Sequence, residues 1–445
     1  MKLSFSEKVG YGAGDTAIGL VMGSMAMIVT YFYTDVYGLK ASHVGILLIV
    51  VRFVDAISDP LVGIITDRTK TRWGRYRPYL LFFSIPFGLT IWMMFSTPDY
   101  TYAGKLAWAF FTYILLTLAY TLISIPYISL IGVITDDPQE RLTANGFRFV
   151  MNKTAVLVVA SAVPILAVYL GGNDLARGYK LTMGVMAVAA TLLCLFCFAT
   201  VKERIVHPVK PFIFKQQISH LFKNDQWLIL GLAIAIIMFG GIIRSSVSAY
   251  YAKYYLNGGE DLIASFLTMG VVASGIAIFF ATYITNRYDK IKMFRITQFL
   301  TFAFGVAMYF VVGQDDIWLA FVFYFLLSLL GDMQLPVYWA AIAEAVDYGE
   351  LKSGVRVSGL AFGGILFFQK FGMGLAGGFV GLMLSSFDYQ PGQTQSAQSL
   401  MGIALLMTII PAIFNLLVTL LMRKYIINND YYYKQIKVRL AGKVE

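Results

Sequence analysis

Twelve apolar runs recur along this chain, each long enough to cross a bilayer as a helix, and nothing else constrains the fold as strongly. A membrane-spanning helix needs about 20 predominantly apolar residues. The runs lie near residues 9–34, 41–66, 77–97, 106–135, 145–170, 179–201, 226–252, 261–285, 294–313, 316–346, 355–385 and 398–422. Within hydrocarbon every backbone amide must bond inside its own segment, so each run predicts a helix. Composition agrees: of 445 residues 58% are hydrophobic and 13% charged, where soluble domains carry about 25% charged. A water-soluble globule, a disordered chain and a secreted disulfide scaffold are excluded. The expected class is an all-α integral membrane protein of twelve transmembrane helices.

The charges set the topology. Of 35 Lys and Arg residues, 25 fall in the N-terminal segment, the even-numbered loops and the tail, against 5 in the odd-numbered loops. The positive-inside rule then puts both termini in the cytoplasm. The net charge of +10 is mostly this topology signal and gives no support to nucleic-acid binding. The N-terminus, with Glu7 close behind Met1, does not read as a signal peptide. The expected location is a membrane with both termini on its cytoplasmic face.

The longest polar connection divides the chain into two halves. The expected units are an N-terminal six-helix bundle over 1–201, a cytoplasmic loop over 202–225, a C-terminal six-helix bundle over 226–422 and a cytoplasmic tail over 423–445. Pro336, Asp347 and Glu350 each follow Pro126, Asp137 and Glu140 by 210 residues, which points to duplication. Each half starts on the same side and holds an even number of spans, so the repeat is parallel.

Little in the chain supports catalysis. Cys194 and Cys197 form a C-x-x-C inside an apolar run, away from any βαβ pattern, and read as helix-packing residues. Gly372-Met373-Gly374-Leu375-Ala376-Gly377 matches a dinucleotide fingerprint, yet no strand precedes it. No nucleophile–base pair, metal-ligand cluster or ATP-binding loop occurs, so no enzyme and no cofactor is expected.

Charges retained inside spans usually face a cavity or a partner. In span two, Arg52, Asp55 and Asp59 fall within about 60° of one another around the helix. Two carboxylates one turn apart repel, and one arginine cannot neutralise both, so they favour a bound Na⁺ or a shared proton. The plainer reading is an ion pair that locks helices together. Asp15, early in span one between Gly12-Ala13-Gly14 and Thr16, is a candidate acceptor for sugar hydroxyls or a packing ion pair. Arg148, Arg244 and Lys370 are candidate donors to substrate, or snorkelling side chains. In span ten Pro336 removes the amide that would bond the Asp332 carbonyl, which predicts a break there. Tyr338 and Trp339 follow, placed to stack on a sugar face or to pack in the core.

These residues resemble a known family. Gly12-x-x-Asp15, Tyr31-Phe32-Tyr33-Thr34-Asp35, Asp55-Ala56-Ile57-Ser58-Asp59-Pro60-x-x-Gly63, Asp67-Arg68-Thr69-x-x-Arg72-Trp73-Gly74-Arg75-Tyr76-Arg77-Pro78 and Asp347-Tyr348-Gly349-Glu350 are similar to motifs of the glycoside–pentoside–hexuronide:cation symporters. These are the melibiose-carrier relatives within the major facilitator superfamily, and the resemblance covers nearly the whole chain. It implies the major facilitator fold, a cation site of Asp55, Ser58, Asp59 and Thr121, and a sugar site including Asp15, Arg148 and Lys370.

The departures carry information too. Melibiose carriers have Asn at Ser58, which leaves H⁺ as plausible as Na⁺. They have Asp and Trp at Ser124 and Ile128, and Lys at Gly14, so an α-galactoside is not expected. With Arg148, Arg244 and Lys370 kept and the carboxylate at Ser124 missing, an anionic sugar is favoured, such as a glucuronide, another hexuronide or a sulfonated sugar. Neutral pentosides or β-glycosides, and a sugar exporter or exchanger, are the alternatives. The candidate substrate site comprises Asp15, Arg148, Arg244, Lys370, Ser124, Tyr338 and Trp339. A cytoplasmic gate is expected from Asp67, Arg72, Arg75, Asp137, Glu140, Arg141, Asp347 and Glu350, with basic loops 2–3 and 8–9 latching onto the acidic groups. The expected partners are a small sugar or glycoside, the coupling cation and the lipid bilayer, with no nucleic acid, and the chain is expected to act as a monomer.

Overall fold

The computed structural model describes residues 2–135, 137–205, 219–285, 289–354 and 358–427, with 435, 436 and 438 of the tail. Twelve helices or broken helices coincide with the twelve apolar runs among these residues. They are α1 (Phe5–Met27, continued by Val29–Tyr31 and the π-helical Phe32–Val36), α2 (Ala41–Arg68) and α3 (Arg77–Phe82 with Ser84–Met94). Then come α4 (Tyr102–Ile134), α5 (Pro138–Gly171), α6 (Leu175–Thr200), α7 (Asp225–Tyr250), α8 (Glu260–Thr285) and α9 (Lys290–Val311). The last are α10 (Ile317–Asp332 with Leu335–Ser353), α11 (Ser358–Ser386) and α12 (Ala397–Met407 with Ile409–Leu421). Among the described residues nine helices are long and apolar enough to cross a membrane, and ten when the pair in α1, bent by 55°, counts as one span.

Local sequence explains most ends and breaks. Ser4 and Glu7 cap α1 reciprocally, Glu7 N–H donating to Ser4 Oγ at 3.3 Å and Ser4 N–H to Glu7 Oε2 at 3.0 Å. Asn224 caps α7 through Trp227 N–H, and Asp289 caps α9 through Ile291 and Lys292. The expected break in α10 is present: the helix stops at Asp332 and restarts at Leu335. Pro86 and Pro411 stand just beyond the breaks at Phe83 and Thr408, each stripping a carbonyl four residues back of its amide. Pro60, Pro126 and Pro164 instead sit inside continuous helices.

Cα packing divides the chain into two compact units, one holding Met1–Lys210, Gly258–Thr268 and Gly381–Gln395, the other Pro211–Asn257, Met269–Val380 and Ser396–Glu445. In the first, α2 is two-faced. Phe53, Ile57, Leu61 and Ile64 are exposed as an apolar stripe, while Val51, Asp55, Ser58, Val62 and Thr66 are buried. The start of α8 and the end of α11 belong to this unit. Tyr31 and Tyr179 donate to the Glu260 carboxylate at 2.7 and 3.3 Å, and the Tyr389 hydroxyl bonds Asp35. Gly381 lets α11 touch α2, for a Cβ there would lie 2.5 Å from the Ala41 carbonyl oxygen. The second unit is built on a core of Trp227, Phe294, Tyr338, Ile342, Ile365, Val418 and Tyr425. Its polar ring atoms are bonded to backbone: Trp227 Nε1 to Ala361 O at 2.9 Å and Tyr425 Oη to Ala341 O at 3.2 Å.

Candidate functional site

Two polar clusters lie inside the first unit. On α2 the Arg52 guanidinium donates to Asp55 Oδ2 at 2.8 Å, and Asp55 is buried. One turn further on, Thr121 of α4 donates its hydroxyl to Asp59 Oδ1 at 3.1 Å. The helix period turns both carboxylates toward α4, away from the exposed Phe53–Ile57 stripe. Ser58 is buried too, but its hydroxyl is directed to the Asp55 carbonyl of its own helix at 3.4 Å. The group therefore supplies hard oxygen atoms from two helices, a donor set suited to Na⁺ or to a proton. Ser124 is buried one turn along α4 from Thr121.

The second cluster joins α1, α4 and α5. Arg148 Nε stands 3.1 Å from Asp15 Oδ2, and Asn152 donates to the Asp15 carbonyl at 3.0 Å. Tyr11 stacks on Tyr127 with centroids 4.9 Å apart, and the Tyr127 hydroxyl donates to the Tyr11 carbonyl at 2.7 Å. The Tyr11 hydroxyl is buried beside Arg148. The glycines of α1 admit neighbouring helices: a Cβ at Gly12 would lie 2.4 Å from Met151 Sδ, and one at Gly14 2.4 Å from the Tyr127 ring. That explains why a lysine has no room at position 14 in this packing. Cys197, a free thiol like Cys194, fills the same contact. Tyr120 lies within electrostatic reach of Asp15, Asp55 and Asp59 alike.

In the second unit Arg244 is buried on α7, facing Tyr324 and Asp332 of α10. Lys370 is half-buried on α11. Tyr338 belongs to the apolar core, its hydroxyl donating to Leu230 O at 2.8 Å. Trp339 is 39% exposed and lies parallel to Phe362. The structure thus brings Asp15 to Arg148, and Thr121 to Asp59, and gives Tyr338 a packing role.

The expected gate residues have more local partners than their spacing indicated. Loop 2–3 is pinned by Glu203, just beyond α6, whose carboxylate accepts from the amides of Arg75, Tyr76 and Arg77 at 2.8, 2.7 and 2.9 Å. Arg72 stacks over Trp73 at 4.1 Å. Glu140 pairs with Lys8 at 2.8 Å and accepts the Leu3 amide, and Glu7 pairs with Arg204 at 2.6 Å. Lys8 is the main reason that the Glu140 carboxyl, ahead of the apolar part of α5, is held below its ordinary range. Arg141 caps α4, donating to the carbonyls of Thr135 and Gly132. In the second unit Lys290 pairs with Glu344, while Asp347 and Glu350 are half-buried along the same helix. The side chain of Asp67, Arg287 of loop 8–9 and residues 206–218 lie outside the described residues. Glu203, Glu344, Tyr11 and Tyr120 are not singled out by any sequence motif. Only Gly74, at φ +112°, hints that something approaches loop 2–3 closely.

Comparison with known proteins bears on the family and the fold. The profile of the family described as MFS/sugar transport protein matches residues 10–429. The inner membrane symporter YicJ of Escherichia coli is 35% identical over 440 residues, covering 99% of this chain and 95% of its own. The isoprimeverose transporter of Lactiplantibacillus pentosus is 32% identical, covering 90% and 84%, and the Escherichia coli glucuronide carrier protein homolog 27%, covering 99% and 96%. The crystal structure of a D-xylose–proton symporter shares the fold, with a TM-score of 0.68 at 14% identity over 96% of this chain and 98% of that one. The described elements are all helical, the relatives are transporters rather than enzymes, and the chain is a multi-pass membrane protein. It belongs to the MFS/sugar transport protein family, among its glycoside–cation symporters.

Proposed function

We propose that this protein is a symporter that uses a cation gradient, of H⁺ or Na⁺, to move a sugar or glycoside by alternating access. The observation that carries the reading is the pair of buried clusters in one unit. Carboxylates and a hydroxyl from α2 and α4 form one and the Asp15–Arg148 pair the other, and Tyr120 is within electrostatic reach of both. A cation at Asp55 and Asp59 relieves their mutual repulsion and stiffens α2 against α4. That raises affinity at the neighbouring sugar site, and by linkage the sugar raises cation affinity equally. Each charge moving down 100 mV supplies about 2.3 kcal/mol for accumulation.

The two halves, 1–201 and 226–422, rock about a midplane site in this reading. The termini and the central loop 202–225 face the cytoplasm of a bacterial inner membrane, and one copy suffices. With Arg148, Arg244 and Lys370 kept, the missing carboxylate at Ser124 favours an anionic sugar. The isoprimeverose transporter among the relatives supports a neutral glycoside as the second reading. Thermal unfolding of the purified protein, with Na⁺, Li⁺ and pH varied against glucuronides, sulfonated sugars and neutral glycosides, tests the proposal. A sugar is expected to stabilise the protein more in the presence of its coupling cation. Sugar stabilisation independent of every cation and of pH contradicts coupling.

A further inference from the structure

Arg52, Arg148 and Arg244 lie inside the expected spans, and the structure treats them differently. Arg52 and Arg148 each pair with a carboxylate, Asp55 and Asp15. Arg244 is only 8% exposed, yet its Nε and Nη2 are buried with no hydrogen-bond partner, and it forms no ion pair among the described residues. A guanidinium taken out of water without an acceptor is strongly disfavoured. Apolar residues of similar volume would pack there at no such penalty. Two buried N–H groups left without acceptors call for a partner that is not part of the chain.

The surroundings define what it receives. Tyr324 of α10 stands beside Arg244, and its hydroxyl is set against Gly270 of α8, where a Cβ would lie 2.6 Å from that oxygen. The absence of a side chain at position 270 leaves room for this phenol, which Ser248 also approaches. Asp332 approaches from the end of the first segment of α10, where the helix breaks. The cluster thus presents a planar two-donor fork, a phenol and, to one side, a carboxylate able to accept from a hydroxyl. Planar forks bind carboxylate and sulfonate oxygens bidentately, which a single hydroxyl cannot match.

We propose that Arg244 is the specificity-determining residue that docks the anionic group, carboxylate or sulfonate, of a sugar substrate, with Tyr324 beside it and Asp332 taking a ring hydroxyl. The proposal rests on the sugar-transport reading above and narrows it to acidic sugars.

The test uses the full-length protein in lipid nanodiscs and calorimetric binding of four probes at saturating Na⁺ and at low and neutral pH. They are methyl β-D-glucuronide, a methyl sulfoquinovoside, methyl β-D-glucoside and methyl β-D-xyloside. The acidic probes are expected to bind at least tenfold more tightly than the neutral ones, and the glucuronide–sulfonate comparison identifies which anion fits. In Arg244→Met that ratio is expected to fall to about one, and Arg244→Lys is expected to recover part of it. The sugar-free protein should unfold no earlier in Arg244→Met than in wild type, since the buried N–H groups that lack acceptors are removed with the guanidinium. Neutral probes binding as tightly as acidic ones overturn the proposal while leaving sugar transport standing. A large loss of sugar-free stability in Arg244→Met with the ratio intact overturns it as well, by making Arg244 structural. Binding of none of the probes under any condition counts against the sugar-transport reading itself.

Discussion

Glu203 closes over Gly74. A Cβ at Gly74 would lie 2.5 Å from the Glu203 carboxyl carbon, and the backbone there has φ +112°, so both space and conformation demand glycine. The three amides that follow all end on the same carboxylate. Glu203→Ala strands them in a part-buried setting and is expected to destabilise the protein by about 1–3 kcal/mol. Glu203→Gln, which keeps an acceptor oxygen, is expected to lose less. Gly74→Ala should lose at least as much as Glu203→Ala, and thermal unfolding of the three purified variants gives the order.

The ion pair between Asp15 and Arg148 is mostly buried, with side-chain exposures of 7% and 21%. Removing one partner leaves a charge uncompensated, so Asp15→Asn and Arg148→Met are each expected to destabilise by roughly 3 kcal/mol. The double variant is expected to recover much of that loss, while sugar binding stays lost in all three. Thermal unfolding and sugar binding, measured across this cycle, separate the pair's structural contribution from its role at the site.

The parts legible in the sequence are those that follow from local chemistry. Twelve apolar runs give twelve helices or broken helices among the described residues, and the α10 break at Asp332 follows from the amide that Pro336 lacks. The breaks at Phe83 and Thr408 have the same signature in Pro86 and Pro411. The 55° bend of α1 near Ile28 does not, for no proline marks it. The span-two carboxylates were visible because charges are rare in apolar runs. Glu203 and Glu344 were not: glutamates near span ends are ordinary, and only tertiary packing brings them to loop 2–3 and Lys290. Tyr338 shows the converse, an aromatic at a suggestive position whose hydroxyl is taken by Leu230.

A pH effect follows at the N-terminus. Lys8 and the Leu3 amide hold the Glu140 carboxyl below its ordinary value. A depressed carboxyl contributes its stabilisation above the unfolded-state pKa of about 4.3 and loses it as pH falls through the lower folded value. Protection of the Leu3 amide against hydrogen exchange, corrected for intrinsic rate, is therefore expected to drop below about pH 4. In Glu140→Gln it is expected to be weaker at neutral pH and nearly independent of pH.

Coupling through Asp59 is tested most directly by transport in proteoliposomes under an imposed Na⁺ or pH gradient, using a sugar that stabilises the purified protein. Wild type is expected to accumulate the sugar above its external concentration and to release it when an ionophore collapses the gradient. Asp59→Asn is expected to lose accumulation while retaining exchange of labelled for unlabelled sugar. Accumulation by Asp59→Asn equal to that of wild type would contradict the cation site on α2 and α4.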